Sequence, residues 1–175
     1  IQSRCAIFRF SRLDDDEISS RLEYIAKQEK LKLDSNGTKA ILYLTEGDMR
    51  AAINLLQAAS STGQVITEKI VYAISGRASP ETIKTMLAHA HEGKYTDSLQ
   101  LLKSLLHHEG ISPNDLVKQI HREVQSLDLS NRQQMNVLEQ IAEVEFRIGE
   151  GANGEIQLGA LLAYIGSGSD TSERR

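Results

Sequence analysis

The sequence predicts an all-α protein, and three signals that recur along most of its 175 residues support this fold class. Apolar residues repeat at intervals of three and four, which places them on one face of a helix. Aspartate or serine stands before several of these runs, where its side chain can accept hydrogen bonds from the free N–H groups of a first turn. Glycine or a small polar stretch follows several of them and ends the helix.

Three helices are predicted in the first third of the chain. The first begins at Asp14, because Glu17 three residues later completes a capping-box pattern. The second begins at Asp34 and ends at Gly47. The third covers residues 49–59, whose apolar side chains recur at helical spacing. Together these helices predict a small bundle, which forms the first domain.

A linker is predicted at residues 60–63, Ser-Ser-Thr-Gly, because this stretch is small and polar. It ends the first domain, residues 11–63, and precedes a larger domain, residues 64–165, with five to six predicted helices. Two of these begin at Ser-Pro pairs, Ser79-Pro80 and Ser112-Pro113, since proline at the first helical position loses no hydrogen bond. The sequence therefore predicts two successive helical bundles, without the fixed-period repeat of a solenoid.

The two ends of the chain do not follow the helical pattern. Residues 5–10, Cys-Ala-Ile-Phe-Arg-Phe, favour a β-strand. A lone short strand needs a sheet to join, and no later segment offers a partner, so we expect it to be orphaned. Residues 166–175 are small and polar and predict a disordered tail. Because the first residue is Ile1 and not Met, we expect a processed chain or a fragment.

The distribution of charge argues against nucleic acid as a ligand of the second domain. The formal net charge is −4. Residues 1–63 carry nine basic and nine acidic side chains, whereas residues 64–175 carry 11 and 15. A DNA backbone rewards clustered lysine and arginine, so the acidic part is a poor surface for it.

The remaining composition excludes other classes of site. A single cysteine, Cys5, cannot form an internal disulfide. No apolar run approaches the roughly 20 residues that span a bilayer. His107 and His108 are adjacent, and their side chains would point about 100° apart on a helix, which is poor for shared ligation. We therefore expect no metal site.

Residues 47–57, Gly-Asp-Met-Arg-Ala-Ala-Ile-Asn-Leu-Leu-Gln, combine a helix start with a fixed cation. Asp48 can cap the helix, and Gly47 suits the left-handed turn before it. Arg50 falls in the first turn, off the apolar stripe, where free N–H groups and the helix dipole already favour an anion. The pattern predicts a phosphate sensor. The alternative is a solvated surface arginine.

These eleven residues resemble the sensor-2 helix of clamp-loader ATPases, the archaeal replication factor C small subunits in particular. Residues 3–5, Ser-Arg-Cys, resemble a second motif of this family, whose arginine reaches the ATP site of the neighbouring subunit. Residues 74–76, Ile-Ser-Gly, and residues 150–153, Glu-Gly-Ala-Asn, resemble further family segments. The resemblance covers nearly the whole chain up to Ile165.

The resemblance implies a domain plan and three site residues. Residues 1–10 would be a remnant of the AAA+ ATPase core, residues 11–63 the helical lid and residues 64–165 the helical collar. Arg50 would approach the γ-phosphate of ATP bound by its own subunit, with Met49 as the neighbouring lid position. Arg4 would act in trans as an arginine finger, a catalytic role in the assembled complex.

The resemblance also implies cofactors that the intact subunit would bind and this chain would not. The intact subunit would bind ATP and magnesium and hydrolyse ATP in a DNA-dependent way. No Gly-x-x-x-x-Gly-Lys-Ser/Thr loop occurs in the sequence. We therefore expect no complete ATP site, no cofactor and no ATPase activity in this chain alone.

The partners implied by the resemblance are other small subunits and one large subunit of replication factor C, which together load the sliding clamp (PCNA) onto primed DNA. Clamp and primer-template DNA would be contacted through the ATPase domain, while the collar would join subunits and self-associate weakly. A cytoplasmic, nucleoid-associated archaeal protein without membrane contact is expected. Two alternatives stay open: a nucleotide-independent helical adaptor, in which the motifs are coincidences of capping, and another clamp-loader-like AAA+ subunit.

Overall fold

The computed structural model describes residues 11–167, and within them the chain is all-α, as predicted. The helices are α1 (Asp15–Gln28), α2 (Ser35–Thr45), α3 (Met49–Ser60), α4 (Glu68–Ser75), α5 (Pro80–His91), α6 (Tyr95–Lys103), α7 (Pro113–Glu123), α8 (Asn131–Gly149) and α9 (Gly154–Ser167). An isolated parallel bridge joins Leu33 and Ile66. The strand predicted at residues 5–10 lies outside the described residues.

The helix starts follow the capping chemistry that the sequence predicts. The N–H of Asp14 donates to the carboxylate of Glu17 at 3.2 Å, one half of the predicted capping box. Ser79 accepts a hydrogen bond from the N–H of Thr82 at 3.2 Å, directly before Pro80. Such caps satisfy N–H groups that have no partner inside the helix.

The chain forms two compact units, which meet in sequence between Ser75 and Gly76. The first unit contains α1 to α4, so it extends beyond the predicted linker at residues 60–63. The reason is tertiary packing, since Val71 and Tyr72 of α4 are buried in the core of the first unit. That core consists of Ile18, Leu22, Ala40, Ile41, Ala52, Leu56, Ala59, Ile66, Val71 and Tyr72.

The second unit contains α5 to α9, and α9 packs against each of the other four helices. Its core consists mainly of leucine, isoleucine and valine from all five helices. Gly154 at the start of α9 lies very close to Pro113 at the start of α7. A Cβ on this glycine would be only 2.3 Å from the proline Cβ, so a larger residue would not fit. α9 continues to Ser167, two residues into the predicted tail, and the rest of that tail lies outside the described residues.

One predicted helix changes its hydrogen-bonding pattern before its end. The sequence predicts a continuous helix from Tyr95 to His107, whereas α6 ends at Lys103 and a π-helical turn, Ser104–His108, follows it. A three-residue 3-10 turn, Val124–Ser126, similarly extends α7. Over residues 11–167, no helix is both long enough and apolar enough to span a bilayer.

Candidate functional site

The start of α3 is built by a tight reversal of the chain after α2. Glu46 and Gly47 both adopt positive φ angles, 49° and 86°, so the chain turns directly from the end of α2 into α3. Asp48 then caps α3 by accepting a hydrogen bond from the N–H of Ala51 at 3.0 Å. The turn predicted at Gly47 and the cap predicted at Asp48 are both confirmed.

Residues 12 and 13 lie directly against Gly47. The N–H of Leu13 donates to the carbonyl oxygen of Gly47 at 3.4 Å. A Cβ on Gly47 would lie 2.8 Å from the Cβ of Arg12 and 3.0 Å from the carbonyl oxygen of Leu13. The guanidinium of Arg12 also pairs with the carboxylate of Glu46, with an N–O distance of 3.3 Å. The segment that enters the first unit is therefore fixed against the loop that starts α3.

Arg50 lies on the solvent side of the first turn of α3. It is exposed, whereas Ala52, Leu56 and Ala59 form the buried side of the same helix. Among residues 11–167, no hydrogen bond or ion pair engages its guanidinium. The N–H groups of Met49 and Arg50, the first two of the helix, likewise have no acceptor among these residues. The first turn of α3 thus carries one cation and two N–H groups that have no partner within residues 11–167, which favours an anion there.

Met49 has a different position from Arg50. Its side chain is partly buried and packs against the core of the first unit. It therefore anchors the first turn of α3 against the core and holds the neighbouring Arg50 at the surface. Arg4, the predicted arginine finger, lies outside the described residues, as do Ser3 and Cys5 beside it.

Within residues 11–167, Glu92 and Lys94 form a charged pair whose pKa values are shifted. The hydrogen bond from the Lys94 ammonium lowers the pKa of the Glu92 carboxyl, and the same bond raises the pKa of Lys94. Both side chains are exposed, with the ammonium and carboxylate 2.7 Å apart, so this is a solvated surface pair. Over the described residues, no three His, Cys, Asp or Glu side chains are grouped so that they could hold a metal ion.

The sequence reasoning missed the apolar residues on the surface of the second unit. Met135 and Phe146 of α8 are 71% and 64% exposed, and Ile156 of α9 is 66% exposed. For α8 the sequence could have predicted this exposure, because the buried residues of the helix follow one stripe and Phe146 falls on the opposite side. That buried stripe consists of Val137, Ile141, Val144 and Ile148.

A groove of about 370 Å³ lies between α7 and α8 in the same unit. It combines apolar and basic side chains. The lining consists of Val117, Lys118, His121, Arg122, Leu138, Ile141, Ala142 and Glu145. The groove was not predicted, since its shape depends on how two helices pack.

Comparison with known proteins places both units in one family. Residues 15–70 match the model of the RFC1-like, AAA+ ATPase lid domain. Residues 78–164 match the model of the replication factor C C-terminal domain. These ranges agree with the two compact units of the structure.

Individual relatives support the same assignment. The chain is 47% identical over 165 residues to the replication factor C small subunit of Methanocaldococcus jannaschii, covering 94% of this chain and 9% of that protein. It is 46% identical to the small subunit of Methanococcus maripaludis strain C7, covering 95% and 53%. It is 45% identical to the small subunit of Haloarcula marismortui, covering 96% and 52%.

The chain spans about half the length of the Methanococcus and Haloarcula relatives, and less of the Methanocaldococcus one. Within that span, the matched segments include the Arg50 helix and all of the second core except Ile165. The chain therefore belongs to the replication factor C family and carries its lid and C-terminal domains.

Proposed function

We propose that this chain is the lid and collar portion of a clamp-loader small subunit, which uses ATP to place a sliding clamp on primed DNA. The single observation that carries the proposal is the exposed Arg50 guanidinium, which has no partner among residues 11–167, at the capped start of α3. The family assignment supports a nucleotide phosphate as the anion that Arg50 would bind.

Arg50 would sense the γ-phosphate of ATP bound by its own subunit. Its charge would add to that of the two N–H groups at the start of α3 that have no acceptor in the described part of the chain, so that an anion there is held by a cation and by the helix dipole. Met49 would fix this turn to the lid core. Because Gly47 binds the entering segment at residues 12–13, movement of the lid with the nucleotide state would be transmitted to the chain that leads back to Arg4.

Arg4 would complete the ATP site of the neighbouring subunit as an arginine finger. Such a guanidinium stabilises the charge that develops on a transferring phosphoryl group and contributes roughly 10³ to 10⁵ in rate in related NTPases. Magnesium and the phosphates themselves would be held by the ATPase domain, since this chain contains no phosphate-binding loop. Arg50 would therefore sense ATP held by the ATPase domain of its own subunit, while Arg4 would act on ATP held by the ATPase domain of the neighbouring subunit.

The second unit would act as the collar that joins one subunit to the next. Its acidic balance, 11 basic against 15 acidic residues over 64–175, makes it a poor DNA surface, whereas its exposed apolar residues suit protein contacts. Contacts with the clamp and with primed DNA would be made by the ATPase domain. We propose cytoplasmic, nucleoid-associated action, as for a replication protein.

The test is the ATPase rate of the assembled loader in the presence of clamp and primed DNA. Intact subunits carrying Arg50→Ala or Arg4→Ala should each lower the stimulated rate at least tenfold. Arg21→Ala is the matched control, because Arg21 is an exposed arginine of the same lid that lies 5.3 Å over the Tyr24 ring. An unchanged rate for either variant would remove that arginine from its role. An intact gene without an upstream phosphate-binding loop would favour a helical adaptor instead.

A further inference from the structure

The exposed side of α8 carries an unusual combination of apolar and acidic residues. Met135, Glu139, Glu143, Phe146 and Glu150 follow each other at spacings of four, four, three and four, so they lie on one helix face. We call them the outer stripe. Met135 and Phe146 are 71% and 64% exposed. Among the described residues, the carboxylates of Glu139 and Glu150 have no hydrogen bond or ion pair, while that of Glu143 pairs with a neighbouring arginine at 2.9 Å.

The α7–α8 groove has the opposite charge along its α7 side. Val117 and Ile141 are buried at its floor, and Leu138 is partly buried beside them. Lys118 and His121 are exposed on the α7 rim, and over residues 11–167 neither side chain has an ion pair or hydrogen bond. The α8 rim carries one carboxylate. Helical geometry separates the centres of the groove and the outer stripe by roughly 100° around α8.

We infer that the outer stripe of one copy of this chain binds the α7–α8 groove of a second copy, with Phe146 entering the groove between the two helices. This inference rests on the proposed collar function and specifies the surfaces that perform it. The apolar floor would bury the phenyl ring, while Lys118 and His121 would face Glu139 and its acidic neighbours. At about 370 Å³, the groove has room for such a side chain.

Charge selects a second copy over nucleic acid as the occupant. The outer stripe carries three carboxylates and no basic residue, so it would repel the phosphates of a nucleic acid. The basic rim of the groove would attract the same stripe. The two surfaces are different, so the contact is head-to-tail, and a pair of copies keeps one free groove on one copy and one free stripe on the other. Repetition of such a contact builds a ring when the rotation between copies closes.

The contact area explains why association of the isolated chain should be weak. An aromatic side chain buries roughly 150 to 250 Å², and Phe146 is 64% exposed, so it offers roughly 100 to 160 Å². A stable interface buries about 800 Å² on each partner. The stripe alone therefore supports concentration-dependent pairing, and the intact subunits would need further contacts for a permanent ring.

The first experiment measures self-association of the purified chain by sedimentation velocity over a range of concentrations. Phe146→Ser removes the apolar anchor, and Lys118→Glu replaces a basic rim residue with an acidic one that faces the acidic stripe. Each should weaken pairing at least tenfold, which corresponds to about 1.4 kcal/mol. Tyr24→Ser is the matched control, since this aromatic residue is 56% exposed in the first unit, and it should leave pairing unchanged.

The second experiment mixes the two impaired chains. The Phe146→Ser chain keeps an intact groove and the Lys118→Glu chain keeps an intact stripe, so the mixture should pair as tightly as the original chain. Loss of pairing in both variants without recovery on mixing would overturn the head-to-tail arrangement. Normal pairing of the Phe146→Ser chain would overturn the surface assignment and leave the collar function standing. A strict monomer at high concentration of the original chain would overturn the collar function and, with it, this inference.

Discussion

Replacing Gly47 with alanine should destabilise the first unit far more than the same change at Gly63, although both glycines have positive φ angles, 86° and 66°. Both variants force an L-residue into left-handed backbone. The difference between them is steric. A Cβ on Gly47 would meet the Cβ of Arg12 at 2.8 Å and the carbonyl oxygen of Leu13 at 3.0 Å, whereas no atom lies within 4 Å of a Cβ on Gly63.

The expected free energies follow from these two costs. Left-handed backbone costs an L-residue about 1 to 2 kcal/mol, and Gly63→Ala should lose that amount of unfolding free energy. Gly47→Ala adds an overlap with atoms that belong to or adjoin the backbone of residues 12 and 13, which cannot move aside freely. Overpacking of this kind costs typically about 1 to 3 kcal/mol. The Gly47 variant should therefore lose about 2 to 5 kcal/mol in all.

Urea unfolding, monitored by hydrogen exchange in peptides from α1 to α4, measures this loss within the first unit. Peptides from α5 to α9 serve as an internal reference, because the second unit has its own core. The amide protons of α1 to α4 should be much less protected from exchange in the Gly47→Ala variant than in the Gly63→Ala variant. Equal losses in the two variants would refute the claim that residues 12–13 are fixed against the start of α3.

Three further predictions concern caps and buried polar groups. Asp48→Ala removes the cap on Ala51, which should cost about 1 kcal/mol of unfolding free energy and be recovered largely by Asp48→Asn in thermal unfolding. Gln119→Ala leaves the buried N–H of Ala78 without its acceptor at 3.2 Å; urea unfolding should show a loss of about 1 to 3 kcal/mol, and a loss below 0.5 kcal/mol would contradict this role. Ser98→Ala removes a buried hydroxyl that donates to a carbonyl oxygen of α5 at 2.8 Å, so calorimetry should show a destabilisation of about 1 kcal/mol. The control Ser104→Ala does not touch this hydrogen bond and should show little destabilisation.

The sequence predicts the local features of this protein well, because caps and turns depend on neighbouring residues. Asp48 and Ser79 cap the helices that the sequence assigns to them. The all-α class follows from apolar residues at helical spacing, and it is confirmed over the described residues. Residues 47–57 likewise lie where their pattern predicts, at the capped start of a helix with Arg50 at the surface.

The features that the sequence did not predict depend on contacts between distant elements. The first unit extends to Ser75 because Val71 and Tyr72 return to its core, and the polar residues before α4 give no sign of this. The π-helical turn after α6 has no composition signal. The α7–α8 groove requires knowledge of how two helices lie side by side. The contact of Arg12 with Gly47 joins residues 35 positions apart.

The measurement that tests the central claim most directly is equilibrium binding of ATP and ADP to the intact subunit with Arg50→Ala. A guanidinium that contacts the γ-phosphate contributes about 1.5 to 3 kcal/mol through charge-assisted hydrogen bonds, which is roughly 10- to 100-fold in affinity. We expect ATP to bind that much more weakly while ADP, which lacks this phosphate, binds nearly as before. Unchanged ATP affinity, or an equal loss for both nucleotides, would contradict the role of Arg50 as a phosphate sensor.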